Sequence, residues 1–169
     1  VLRWRASLDW ILAHHASRPL ANLDTTILLA LRMGLYQIRH LDRVPERAAV
    51  DESVRLAEAY GEARGKGLVN AVLRSVLRQP GAPAFPTKEA DPVGYLATAL
   101  SHPRWLAERY LDRLGLQRAE ARCQVQNQTP PVHLRVSARI DVERAREVLE
   151  RKGVGTAIVS EAPRCLRVL

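Results

Sequence analysis

Apolar residues recur at helical spacing through most of the first 128 positions and at alternate positions soon after, so the chain predicts a row of helices followed by a short mixed segment. From Leu2 to His15, Trp4, Leu8, Ile11, Leu12 and His15 share one side of a helical wheel. Arg18-Pro19 ends that segment, because the residue before proline is pushed out of the helical region. Asn22 is expected to cap a helix running to about His40, in which Ile27, Leu28, Leu31, Leu35 and Ile38 are joined by Leu29, Ala30 and Met33 until little polar surface remains. Such a helix belongs at the centre of a bundle. Ala48 to Tyr60 repeats the period, with Gly61 as its C-terminal glycine.

The next helix, Gly65 to Arg78, has two faces. Leu68, Val69, Val72, Leu73, Val76 and Leu77 fill one half of the wheel, while Lys66, Asn70, Arg74 and Arg78 climb the other at i+4 steps. Gly67, Ala71 and Ser75 run beside that stripe and keep one flank low enough for a helix or a phosphate backbone to approach. By charge pattern alone a solvated face is the simpler reading and a nucleic-acid site the alternative. Arg32, Tyr36 and Arg39 interrupt the central helix, either to meet RNA or because the helix surfaces there.

Four prolines and a glycine between Gln79 and Pro92 mark a break between two units. Beyond it, Val93 to Leu100 reads as a short helical segment. Ser101-His102-Pro103 signals the start of a helix to Leu114 that Gly115 closes, and a further helix follows from Arg118 to about Gln128. Ser101 beside His102 also has the residue types of a nucleophile and base, but neighbours in sequence rarely meet triad geometry, and capping is the better account. Val132, Leu134 and Val136 alternate as in a half-exposed strand. Asp141 to Lys152 is an amphipathic helix closed by Gly153, and Thr156–Ser160 and Cys165–Leu169 are short strands. So small a sheet leaves open edges, and a further segment is expected after Leu169.

Composition narrows the partner. The net charge of +8 and pI near 10.3 favour a polyanion, nucleic acid before an anionic membrane surface. Residues 1–78 and 79–169 each carry +4, so the charge is distributed rather than held in a tail. Cys123 and Cys165 form neither a CxxC nor a zinc spacing, which predicts reduced, cytoplasmic thiols and no metal site. No apolar run approaches the roughly 18 residues of a membrane span. Gly61-Glu62-Ala63-Arg64-Gly65-Lys66-Gly67 lacks the P-loop spacing, and no glycine-rich strand-to-helix turn suggests a nucleotide or adenosyl site.

Leu31-Arg32-Met33-Gly34-Leu35-Tyr36-Gln37, Val44-Pro45, Ala48-Ala49-Val50-Asp51-Glu52-Ser53-Val54 and Gly67-Leu68-Val69-Asn70-Ala71-Val72-Leu73-Arg74, in that order, resemble the NusB-type helical RNA-binding domain. The continuation, Leu100-Ser101-His102-Pro103-Arg104-Trp105-Leu106, Asn127-Gln128-Thr129-Pro130-Pro131 and Leu134-Arg135-Val136, is similar to the N-terminal half of bacterial ribosomal-RNA cytosine-5 methyltransferases of the Sun/Fmu (RsmB) type. The resemblance implies a mainly α chain. A NusB-like bundle would occupy 1–78 without its first helices, a linker 79–92, connecting helices 93–129, and the start of a small α/β, RRM-like subdomain 130–169.

It also implies small-subunit ribosomal RNA as partner, with Lys66, Asn70, Arg74, Arg78, Arg32 and Arg39 as contacts. A C-terminal catalytic domain outside these residues would hold S-adenosylmethionine and the nucleophilic cysteine. No catalytic, cofactor or metal residue is carried over to this chain. A NusB-like antitermination factor without enzymatic activity is the alternative, and a helical unit serving only as scaffold is a third. The oligomeric state is open.

Overall fold

The computed structural model describes residues 1–61, 65–81 and 83–169. The middle of the Gly61–Gly67 stretch, weighed above as a phosphate loop, lies outside them. The chain forms two units, Val1–Asn127 and Gln128–Leu169.

The first unit is built on helix α2, Thr25–His40. Its cap is Asp24 and not the expected Asn22. Leu20–Asn22 forms a 3-10 turn, and the Asp24 carboxylate accepts from the amides of Thr26 (2.9 Å) and Ile27 (3.2 Å). Around α2 pack α1 (Arg5–His15), α3 (Glu46–Tyr60) and α4 (Gly65–Arg78). The core holds Leu8, Ile11, Leu12, Ile27, Leu31, Leu35, Val50, Val69, Val72, Leu73 and Val76, with Val54 and Leu68 partly buried against it. The 3.6-residue period therefore selects the buried faces, and hydrophobic burial at ~25 cal/mol per Å² holds them.

Two glycines matter for space. A Cβ on Gly34 would lie 2.7 Å from Leu73 Cδ1 and collide with Ser53 Oγ, so α2 meets α3 and α4 at a point only hydrogen can fill. Gly61 has extended backbone (φ −101°), not the left-handed cap expected of it; a side chain there would strike Ile27 and the Ala57 carbonyl.

Residues 79–92 lie within the first unit. Trp10 Nε1 donates to the Ala84 carbonyl (3.3 Å), Arg39 donates to the Pro80 carbonyl (3.0 Å), and Phe85 packs against the core. Helix α5, Pro92–Gly94, runs into a π-helical turn, Tyr95–Ala99. Helix α6, Arg104–Asn127, is broken at Gly115 (φ 71°, ψ 167°). The arms on either side of that corner bury Ala107, Ala119 and Cys123 around Leu96. Lys88 (3.2 Å) and the Tyr95 hydroxyl (2.9 Å) both bind Glu120, tying the proline-rich stretch and the π turn to α6.

Ser101 does not cap α6. Its backbone is left-handed (φ 55°), and its hydroxyl accepts from the Ala6 (3.0 Å) and Ser7 (3.4 Å) amides, the unsatisfied first turn of α1 some 95 residues away. His102 is buried. Its Nδ1 stands 2.7 Å from the Leu100 carbonyl and Nε2 3.1 Å from the Gln126 side-chain amide, so both ring nitrogens are occupied.

The second unit is a β-α-β-β piece: β1 (His133–Arg135), α7 (Val142–Arg151), β2 (Thr156–Val159) and β3 (Ala162–Val168). The sheet is antiparallel in the order β1-β3-β2, with Leu134 opposite Leu166 and Ile158 opposite the same residue on the other side. Asp141 caps α7 through the Arg144 amide (3.0 Å), and Gly153 (φ 79°) closes it. The Arg164 guanidinium binds the carbonyls of Val136, Ser137 and Ile140, clamping the β1–α7 loop. Val136 and Leu166 are buried. The apolar face of α7 (Ala145, Val148, Leu149) lines a cleft of about 650 Å³ with Leu134, Ile140 and Leu166.

Candidate nucleic-acid interface

Helix α4 places its stripe by burying the opposite side. With Val69, Val72, Leu73 and Val76 in the core, Lys66, Arg74 and Arg78 are exposed, and Asn70 is half-buried. The stripe is not uniform. Lys66 Nζ pairs with Glu58 Oε1 at 2.5 Å, and both side chains are more than half exposed, so this pair contributes about 1 kcal/mol at most. Arg74 Nε donates to Asn70 Oδ1 (2.7 Å), which fixes the guanidinium by one edge and leaves its terminal NH₂ groups outward. Among the described residues no carboxylate pairs with Arg74 or Arg78, although Glu46 and Arg47 line a hollow of about 380 Å³ beside Arg74. The small flank is divided in use: a Cβ on Gly67 meets open space, whereas Ser75 Oγ lies 3.0 Å from His15 Nδ1 and serves the packing of α1.

The two arginines of α2 stand apart from this stripe. Arg32 forms a two-pronged pair with Asp9, 2.7 Å at both contacts, and its side chain is 19% exposed. Its charge is spent on joining α1 to α2. Arg39 is exposed but holds the Pro80 carbonyl. Tyr36 faces His40 (centroids 4.9 Å apart), which also stacks on Trp4 (4.9 Å). Burial, with the charge of Arg39 beside it, lowers the pKa of His40.

The cysteines are ordinary. Cys123 is buried between the arms of α6, and burial pushes its thiol up, against the weaker pull of Arg122. Cys165 is half-buried in β3 opposite Arg135. Among the described residues no cluster of His, Cys, Asp and Glu has the make-up of a metal site, and no helix is long and apolar enough to cross a membrane.

A four-helix arrangement with one cationic face, followed by a β-α-β-β unit, has clear counterparts. Residues 1–78 match the NusB family, and residues 102–169 match the RsmF/B-like methyltransferase ferredoxin-like domain. The "Probable ribosomal RNA small subunit methyltransferase B" of Bacillus subtilis (strain 168) is 37% identical over 136 residues, 80% of this chain and 30% of that protein. "Ribosomal RNA small subunit methyltransferase B" of Pseudomonas putida (strain KT2440) is 36% identical over 137 residues, 81% of this chain and 30% of its own length. The crystal structure of PH0851 superposes with a TM-score of 0.75 at 16% identity, over 99% of this chain and 37% of that one, and shows the shared fold. Over its two matched segments the chain is similar to part of Sun/RsmB-type proteins, and it spans about 30% of the length of these curated relatives.

Proposed function

We propose that this chain is the RNA-recognition part of an S-adenosylmethionine-dependent methyltransferase that forms 5-methylcytosine in small-subunit ribosomal RNA. The observation that carries it is the α4 stripe. Arg74 and Arg78 have no carboxylate partner among the described residues and stand on an exposed face, beside the open flank at Gly67, in a NusB-family bundle joined to a domain type of ribosomal-RNA methyltransferases. That second domain favours the methyltransferase over an antitermination factor, which needs no such extension.

The chemistry belongs to a further catalytic domain of the same protein, which is this chain's expected partner alongside the RNA. Methylation at cytosine C5 needs a nucleophile to activate an unreactive ring carbon and a methyl donor held in line with it. Cys123 is walled in by Ala107, Ala119 and Leu96, and its raised pKa disfavours the thiolate. This chain's contribution is to bind and orient RNA in the cytoplasm, where small subunits are assembled.

The test is RNA affinity against salt. Each cation on a phosphate adds about 0.7 to 0.9 to the slope of log affinity against log salt. Arg74→Ala with Arg78→Ala should flatten that line for an unmodified small-subunit ribosomal-RNA transcript and weaken binding. Parental slope and affinity in the double variant would make the stripe a solvated face.

A further inference from the structure

The corner of α6 gathers charge that the α4 stripe does not explain. Arg109 and Arg113 on the first arm and Arg122 on the second line a hollow of about 220 Å³ whose floor is Tyr110 and Leu114. All three arginines are exposed, and among the described residues none has a carboxylate partner. Of the acids nearest in sequence, Glu108 pairs with Arg104 and Glu120 is held by Lys88 and Tyr95, while Asp112, exposed beside Arg113, makes no ion pair among the described residues.

The hollow is also pre-set. Gly115, in the left-handed region, turns the helix so that residue 122 returns over residue 110. The Arg122 guanidinium then lies over the Tyr110 ring, 5.1 Å from its centroid. Tyr110 is fixed in turn: its hydroxyl lies 3.0 Å from Gln126 Nε2, and Gln126 Oε1 lies 3.1 Å from buried His102. Hydrogen bonding by Arg122 and then Gln126 lowers the phenol pKa. A solvated arginine has no use for such a chain of supports running back to a buried histidine.

We infer that the α6 corner is a second RNA-binding site, in which Arg109 and Arg113 hold phosphate and the guanidinium of Arg122, backed by Tyr110, offers a platform for a nucleobase. Guanidinium forks suit phosphate oxygens, and an arginine plane braced on an aromatic ring is a surface on which an unpaired base stacks. This rests on the proposed function for the identity of the polyanion. It adds a contact on α6, within the 102–169 match, so RNA laid on α4 would be gripped at a second point.

The test uses the 169-residue chain and the same transcript, read by fluorescence anisotropy across a salt series, with circular dichroism as the check of folding. Arg109→Ala with Arg113→Ala should flatten the slope by about 1.4, in addition to the effect of the α4 double variant. Arg122→Lys keeps the charge and loses the plane; it should leave the slope and weaken binding about fivefold. If the parent binds with a salt slope that the α4 variants reduce and the α6 variants do not, the α6 site is overturned and the proposed function stands. If the parent shows no salt-dependent binding, the proposed function fails first. If polyglutamate binds with the same dependence on all three arginines, Arg122→Lys being harmless, the corner is a seat for an acidic protein surface and the RNA site is overturned.

Discussion

Ser101 couples two distant parts of the first unit, and its replacement has a calculable cost. The hydroxyl satisfies the second and third amides of α1, and loss of such a cap costs about 1 kcal/mol, with a range of roughly 0.5 to 2. The residue also sits at φ 55°, a conformation that costs a non-glycine residue about 1 kcal/mol. Ser101→Ala loses the cap and keeps the strain, so it should destabilise by about 1 to 2 kcal/mol. Ser101→Gly loses the cap but relieves the strain, and should fall within about 0.5 kcal/mol of the parent. Trp4, Trp10 and Trp105 are the chain's three tryptophans and all belong to the first unit, so urea unfolding followed by tryptophan fluorescence isolates that unit. Amide exchange gives the local reading: the Ala6 and Ser7 amides should lose protection in both variants. An alanine variant as stable as the parent, or unchanged exchange at Ala6, would refute the cap; equal stability of the alanine and glycine variants would refute the strain.

Gly34→Ala should cost about 1 to 3 kcal/mol by overpacking the α2–α3–α4 contact, and adding Ser53→Ala should recover part of the loss in the same unfolding assay. His40 has a lowered pKa, so the unfolded chain binds the proton more readily than the folded one. Its contribution to stability is present above the ordinary imidazole range near 6.5 and is lost as the pH falls below it. His40→Phe, which keeps a ring against Trp4, should therefore give a flatter stability profile between about pH 7 and 5.

Local information was enough for most of this fold. Long amphipathic periods locate α2, α3 and α4 and their buried faces, and Gly115 and Gly153 mark helix ends because their left-handed backbones are a local requirement. What stayed hidden is non-local. Asn22 and Asp24 are both good caps, and only the 3-10 turn formed by Leu20–Asn22 selects the second. The Arg32–Asp9 pair spans 23 residues and the Ser101 cap about 95, distances across which no periodicity speaks. Gly61 carried the right residue for the wrong reason, since it is chosen by the approach of Ile27 and not by a helix cap.

The stripe was legible because a helix with one buried face must show the other. The structure adds that its members differ: Lys66 is paired, Arg74 is held by Asn70, and Arg78 has no carboxylate partner among the described residues. Arg32 and Arg39 looked equivalent to these as isolated cations along α2. Their partners, Asp9 and the Pro80 carbonyl, are visible only once the chain is folded. Arg109, Arg113 and Arg122 carry no signal in the sequence for a related reason: a helix corner, not a helical period, brings them together.

Cross-linking the chain to an unmodified small-subunit ribosomal-RNA transcript, with the attached peptides identified by mass spectrometry, tests the central claim most directly. Nucleotide-bearing peptides should map to residues 65–78 of α4 and be lost when excess unlabelled transcript or high salt is present. Cross-links absent from α4, with RNA attached only around Arg32 or only to the second unit, would contradict the account.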